Sequence, residues 1–154
     1  MHADDIYRTK LQATVAALKY WLPEINDTAR VSEISDVDYW KIAVEPKVPG
    51  ACPFELMLRT DQRHDLIIAG EVFEDQPTTT LDLFVPLVDS IAEGRVVQRR
   101  TVSAATGAPV ALRTIITLPD GHVWEAERTL PDGLAPGALD DLIIEDRHFL
   151  PYRR

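Results

Sequence analysis

The chain predicts an α+β fold, with two helices packed on one face of a twisted antiparallel sheet of about six to seven strands. Three observations carry this reading. Apolar residues near the N-terminus recur with a helical period, a second helical stretch ends at Gly94, and the segments around both alternate with the two-residue period of strands. The sharpest strand signal is the tetrad Leu118-Pro-Asp-Gly121. Pro119 presets φ near about −65°, and Gly121 takes the left-handed position of a three-residue loop built on a type I turn. That loop predicts Leu118 opposite His122, Ile116 opposite Trp124 and Thr114 opposite Ala126. Val110, Leu112, Ile116 and Leu118 then share one face with Trp124, Ala126 and Leu130. A two-residue Asp-Gly turn would set Glu125 and Glu127 against the same apolar row, so packing selects the longer loop. A second Leu-Pro-Asp-Gly, at Leu130–Gly133, follows at hairpin spacing, too close to mark a repeat unit.

The elements follow in order. Asp4 and Asp5 offer acceptors and negative charge to a helix N-terminus. Tyr7, Leu11, Val15, Leu18, Trp21 and Leu22 then line one side of a helix over residues 5–22, which stops at Pro23. Ala29–Ser35 and Val37–Glu45 alternate as strands, with Trp40, Ile42 and Val44 on one face. Pro46, Pro49, Gly50 and Pro53 make 46–53 a rigid loop. Phe54–Thr60 and Asp65–Glu74 form the next strand pair around the polar turn 61–64. A second helix starts near Asp82, because Pro86 is tolerated only in a first turn, and carries Leu83, Leu87 and Ile91 inward. Strands near 95–104, 109–118 and 122–130 complete a meander. The whole, residues 1–154, reads as one domain, with 131–154 crossing the sheet or forming a loosely ordered tail.

Composition bounds the setting. The sequence is 45% hydrophobic and 27% charged, ordinary for a globular chain. Its apolar runs are too short for a membrane span, and the N-terminus lacks the basic start and apolar core of a signal peptide. Cys52 is the single cysteine, so no internal disulfide forms and a reducing, cytoplasmic compartment is expected. The net charge of −9 opposes nucleic acid or an anionic membrane as partner. Residues 1–94 hold 17 acidic and 8 basic side chains, whereas 95–154 hold 8 of each, every base there an arginine.

Few residues carry chemistry. Cys52 has no nucleophile signature around it and is expected to pack as a small apolar group beneath the proline loop. Asp61, His64 and Asp65 are types that ligate divalent cations, but the same letters make an ordinary solvated turn, so no metal is expected. His122 and Trp124 share the inner face of their strand, with His122 at its rim. Arg95, Arg99, Arg100, Arg113 and Arg128 cluster on the final meander; most are expected to pair with Glu125, Glu127 and other surface acids. Arg128, opposite Leu112, belongs to the inner-face set and needs either a carboxylate or a bound anion. Gly-rich phosphate loops, nucleophile elbows and paired Cys-x-x-Cys or His-Glu-x-x-His motifs do not occur in the sequence, and no cofactor is expected.

A small, acidic, cysteine-poor chain ordered helix, strands, helix, strands resembles the type III secretion chaperone class over residues 5–130. The resemblance implies a homodimer whose sheet and helix surfaces hold an extended segment of another protein. The chain departs from that pattern by an extra strand at 122–130 and by lacking a clear amphipathic C-terminal helix, and no functional positions carry over. Two function classes follow. The first is a noncatalytic protein-binding module, of adaptor, secretion-chaperone or inhibitor type, acting as a homodimer. The second is a protein that binds a small anionic ligand, or a cofactor-independent enzyme, with Trp40, His122, Trp124 and Arg128 lining a pocket on the sheet.

Overall fold

A computed structural model describes residues 3–130 and 141–153 of the chain. Helix α1 (Ala3–Trp21) buries Leu11, Thr14, Leu18 and Trp21 and leaves Arg8, Lys10, Gln12 and Lys19 in water. This is the stripe that the 3.6-residue period dictates. Pro23 then tightens the chain into a 3-10 turn, Leu22–Ile25, whose two end residues are buried. Two of the side-chain hydrogen bonds that fix the helix come from its aromatic residues. Tyr7 Oη donates to the carbonyl of Arg59 (2.8 Å), and Trp21 Nε1 donates to Asp89 on the second helix (3.1 Å).

Five strands follow as an antiparallel meander: β1 (Ala29–Ser35), β2 (Tyr39–Pro46), β3 (Phe54–Arg59), β4 (Arg63–Ile68) and β5 (Glu71–Pro77). Their inward residues stack in rows across the sheet. Val44, Phe54 and Ile68 form one row, Ile42, Leu56 and Leu66 the next, and Trp40, Leu58 and His64 the third. All nine are buried.

Helix α2 (Phe84–Ala92) is entered through a 3-10 turn at Leu81–Leu83, which places Pro86 in the first α-helical turn, where its missing N–H costs nothing. Gly94 ends it at φ +80°. The Arg95 N–H reaches Ser90 (2.9 Å) and the Gly94 N–H reaches Ile91 (3.1 Å), the paired bonds of a glycine-terminated helix.

The second sheet has four antiparallel strands, β6 (Val96–Ser103), β7 (Pro109–Thr117), β8 (Val123–Thr129) and β9 (Leu142–His148), in the order β8-β7-β6-β9. Its central hairpin has the register read from the Pro-Asp-Gly loop: Thr114 pairs with Ala126, Ile116 with Trp124, and the Leu118 N–H bonds the His122 carbonyl at 2.8 Å. Gly121 sits at φ +91°.

The expectation of two helices on one face of a single sheet of six to seven strands is therefore corrected: the described residues form two helices and two antiparallel sheets, of five and four strands. Two local facts account for the difference. The stretch 65–74 is broken at Ala69 and Gly70, which take φ of +49° and +87° and turn the chain in two residues, so β4 and β5 are separate strands. Such a turn prefers Asn-Gly or Asp-Gly, and an alanine in its first left-handed position hid it. The second fact is β9. The apolar patch Leu142–Ile144, expected within a loose tail, pairs with β6 along its whole length. Beyond it, Leu150 N–H bonds Gly50 (3.0 Å), Tyr152 N–H bonds Ala92 (2.8 Å), and Tyr152 Oη donates to the Cys52 carbonyl. Residues 131–140, and with them most of the second Leu-Pro-Asp-Gly, lie outside the described residues.

Side chains of β5 and β8 join the two sheets, and no backbone pairing links these two strands among the described residues. Phe73 of β5 stands edge-on to Trp124 of β8, ring centres 5.5 Å apart, and Glu71 pairs with Arg128 beside them. One buried cluster joins α1, α2, the inward rows of the first sheet, Val96, Ile116 and Leu118 of the second, and Phe149 and Tyr152.

Candidate functional site

The four side chains read from the sequence as a pocket lining are placed in three different surroundings. Trp40 is buried in the first sheet, where its Nε1 donates to Glu33 at 2.7 Å. Its edge meets Leu11, Val15 and Leu58 in a groove of about 580 Å³ between α1 and the β1–β2 turn. Trp124 is half-buried against Phe73, in a smaller hollow of about 350 Å³ that also touches His64, Thr78 and Phe84. Arg128 gives Nε and Nη2 to the two carboxylate oxygens of Glu71, at 3.1 and 3.0 Å. His122 is exposed at the tip of the hairpin, with Nδ1 2.8 Å from Asp120, whose carboxylate raises the imidazole pKa. The structure thus brings Trp124 and Arg128 together on β8, facing partners from β5, and leaves Trp40 and His122 apart from them.

Arg128 is instructive. Its cross-strand partner is Leu112, so it lies on the inner face, and of the two partners that an inward arginine needs it has the carboxylate. The bidentate geometry fills the guanidinium fork that an anionic ligand would use. Three other arginines of the meander are also paired: Arg99 with Asp146 (2.9 Å), Arg113 with Glu127 (2.9 Å), and Arg100 with Glu145. Arg95 is exposed.

The remaining candidates make contacts within the fold. Cys52 is buried, and burial pushes its thiol up to about 12, so the thiolate needed for nucleophilic chemistry does not form near neutral pH. Asp61 and Asp65 both turn to Arg59 (2.6 and 3.5 Å), which also binds Asp75 (2.6 Å). His64 points the other way, into the interior, with Nδ1 3.0 Å from Thr78 Oγ1 and its ring against Phe84. Burial lowers the His64 pKa and keeps it neutral at pH 7. Among the described residues no group of three or more acidic, histidine or cysteine side chains is placed to hold a metal ion.

What sequence reasoning missed is a backbone feature. Of the four edge strands among the described residues, β5 and β8 touch through side chains, and β1 and β9 are each paired on one side only. Strand β1 carries Arg30, Ser32, Glu33 and Ser35, a largely polar edge with one half-exposed apolar residue, Ile34. Strand β9 instead shows Leu142, Ile143 and Ile144 at 45%, 50% and 62% exposure, apolar on both faces of the strand.

Which backbone groups are free follows from the ladder. Phe149 N–H bonds Val96 (3.1 Å), and the Asp141 carbonyl accepts from Ala104 (2.8 Å). In an antiparallel pair such residues alternate, so the odd-numbered residues of β9 turn their N–H and C=O groups to β6. Those of Leu142, Ile144, Asp146 and His148 point outward and have no backbone partner among the described residues. The signal in the sequence was the run Leu142-Ile-Ile144 leading into Glu145-Asp-Arg-His148, too short and too polar at its end to read as a strand alone.

No helix among the described residues is long and apolar enough to cross a membrane. The chain matches no family model, no curated protein and no solved structure.

Proposed function

We propose that this chain is a noncatalytic protein-binding module, of adaptor, secretion-chaperone or inhibitor type, that acts as a homodimer and engages protein through a sheet edge. The observation that carries the reading is the β9 edge, where four outward-facing residues offer backbone groups with no partner among the described residues, beside three exposed apolar side chains. An added strand satisfies such groups with main-chain hydrogen bonds while its side chains cover the apolar ones. The small-anion reading has less support, because Glu71 already occupies Arg128 and the four pocket residues are dispersed.

Light scattering combined with a thermal-shift screen separates the two. The reading expects a mass above that of one chain and no melting shift with phosphate, nucleotides or small carboxylates. A monomer mass, together with a clear upward shift from one small anion, would overturn it. A specific ligand at 100 times its Kd stabilises by about 2.7 kcal/mol.

A further inference from the structure

We propose that the β9 edge is occupied by the β9 of a second copy, paired antiparallel about a two-fold axis that passes beside Ile144. The inference rests on the homodimeric reading above and gives it an interface and a register.

Two-fold pairing of identical strands sets one residue opposite itself, and each choice of that residue makes a different set of neighbours. With Leu142 at the axis, only 141–143 of the described residues pair with their copies, and Ile144, the most exposed of the three apolar residues, is left out of that pairing. With Ile143 there, Asp141 falls opposite Glu145, acid against acid. With Glu145 there, Glu145 opposes itself. With Asp146 there, two aspartates meet, and Leu142 of the second copy is brought opposite Leu150. That end is closed, since the Leu150 N–H already bonds Gly50 and Ala51 bridges Leu150. Axes nearer the C-terminus run further into the same obstruction.

Ile144 at the axis avoids every one of these conflicts. Ile144 then meets its copy, Leu142 lies across from Asp146, Ile143 across from Glu145, and Asp141 across from Arg147, twice by symmetry. Asp146 and Glu145 enter this arrangement already neutralised by Arg99 and Arg100 on β6. Arg147 lies over the Phe149 ring (4.5 Å) with no ion pair among the described residues, so its charge is available for Asp141 of the second copy. The outward groups of Leu142, Ile144 and Asp146 supply the new ladder bonds, and the two four-stranded sheets join into one of eight.

Single cysteines test the register. In Ile144→Cys the two thiols fall in a hydrogen-bonded pair with Cα atoms about 5.5 Å apart, within disulfide range. In His148→Cys they are about 27 Å apart along the strand. The native Cys52 is buried and does not compete. Air oxidation is expected to convert the Ile144→Cys protein to a covalent dimer and leave the His148→Cys protein uncoupled.

Charge reversal provides the second arm. Arg147→Asp is expected to lower the mass measured by light scattering towards that of one chain, and Asp141→Arg combined with Arg147→Asp to restore it, with melting curves confirming that each variant is folded. Failure of the Ile144→Cys protein to couple overturns the inference. If the parent is then still dimeric, the homodimeric reading stands with its interface elsewhere; if it is a monomer, that reading falls as well.

Discussion

Gly94→Ala is expected to destabilise the chain by about 3 kcal/mol, enough to lower the melting temperature by about 10 °C in a domain of this size. Two penalties combine at this position. The backbone is at φ +80°, and a Cβ would stand 2.6 Å from the Pro151 nitrogen and 2.9 Å from the Leu150 carbonyl carbon. Both neighbours are backbone, so relief requires moving the segment that follows β9. Gly121→Ala supplies the control, because it has the same strain at φ +91° and nothing within 4 Å of the new Cβ. It should cost about 1–2 kcal/mol. Thermal melting of the two variants measures the difference. Equal losses would mean that residues 150 and 151 do not lie against the end of α2.

Tyr152→Ala is expected to cost about 3–5 kcal/mol, the scale of emptying a buried aromatic site. The ring is 2% exposed, its hydroxyl donates to Cys52 and its backbone N–H to Ala92. Tyr152→Phe keeps the ring and removes the hydroxyl, leaving the Cys52 carbonyl without that donor, for about 1–2 kcal/mol. Chemical denaturation of the pair separates packing from hydrogen bonding. A Tyr152→Ala chain as stable as the parent would show that the C-terminal segment is not part of the core. These two predictions bear on function because the same segment orients β9. Phe149, Leu150 and Tyr152 are tied to β6, the 46–53 loop and α2, so the edge strand is held on a fixed frame.

Much of this frame was legible in the residues. The period of Leu11, Leu18 and Trp21 located α1, the alternation of Trp40, Ile42 and Val44 located β2, and Pro119 with Gly121 set the hairpin register to the residue. Each is a local rule with one dominant physical cause. What was not legible depended on cancellation between local and distant terms. Ala69 has no intrinsic preference for the left-handed conformation it adopts; the pairing of Ile67 with Val72 and Ile68 with Glu71 imposes it. Leu142–Ile144 has strand character, but its partner β6 lies far back along the chain, at a separation no periodicity spans.

The candidate site shows the same division. The requirement of an inward arginine for a carboxylate or an anion was correct for Arg128, and only the three-dimensional structure names Glu71, 57 residues away. Trp40, His122, Trp124 and Arg128 have the composition of a binding site. Their grouping assumed one sheet; the division into two takes Trp40 away from the others, and His122 stands apart at the tip of its hairpin. The β9 edge was invisible for a different reason. Its functional groups are backbone amides and carbonyls, which every residue has, and only topology decides which are left without partners.

The most direct test of an engaged β9 edge is amide hydrogen exchange, resolved by residue, on the pure protein at rising concentration. Ile143, Glu145, Arg147 and Phe149 turn their N–H groups to β6 and are protected in any oligomeric state. Leu142, Ile144 and Asp146 are expected to become protected too, increasingly so as concentration rises. Exchange of these three at the rate of free amides, at every concentration, would contradict an edge paired with a second copy.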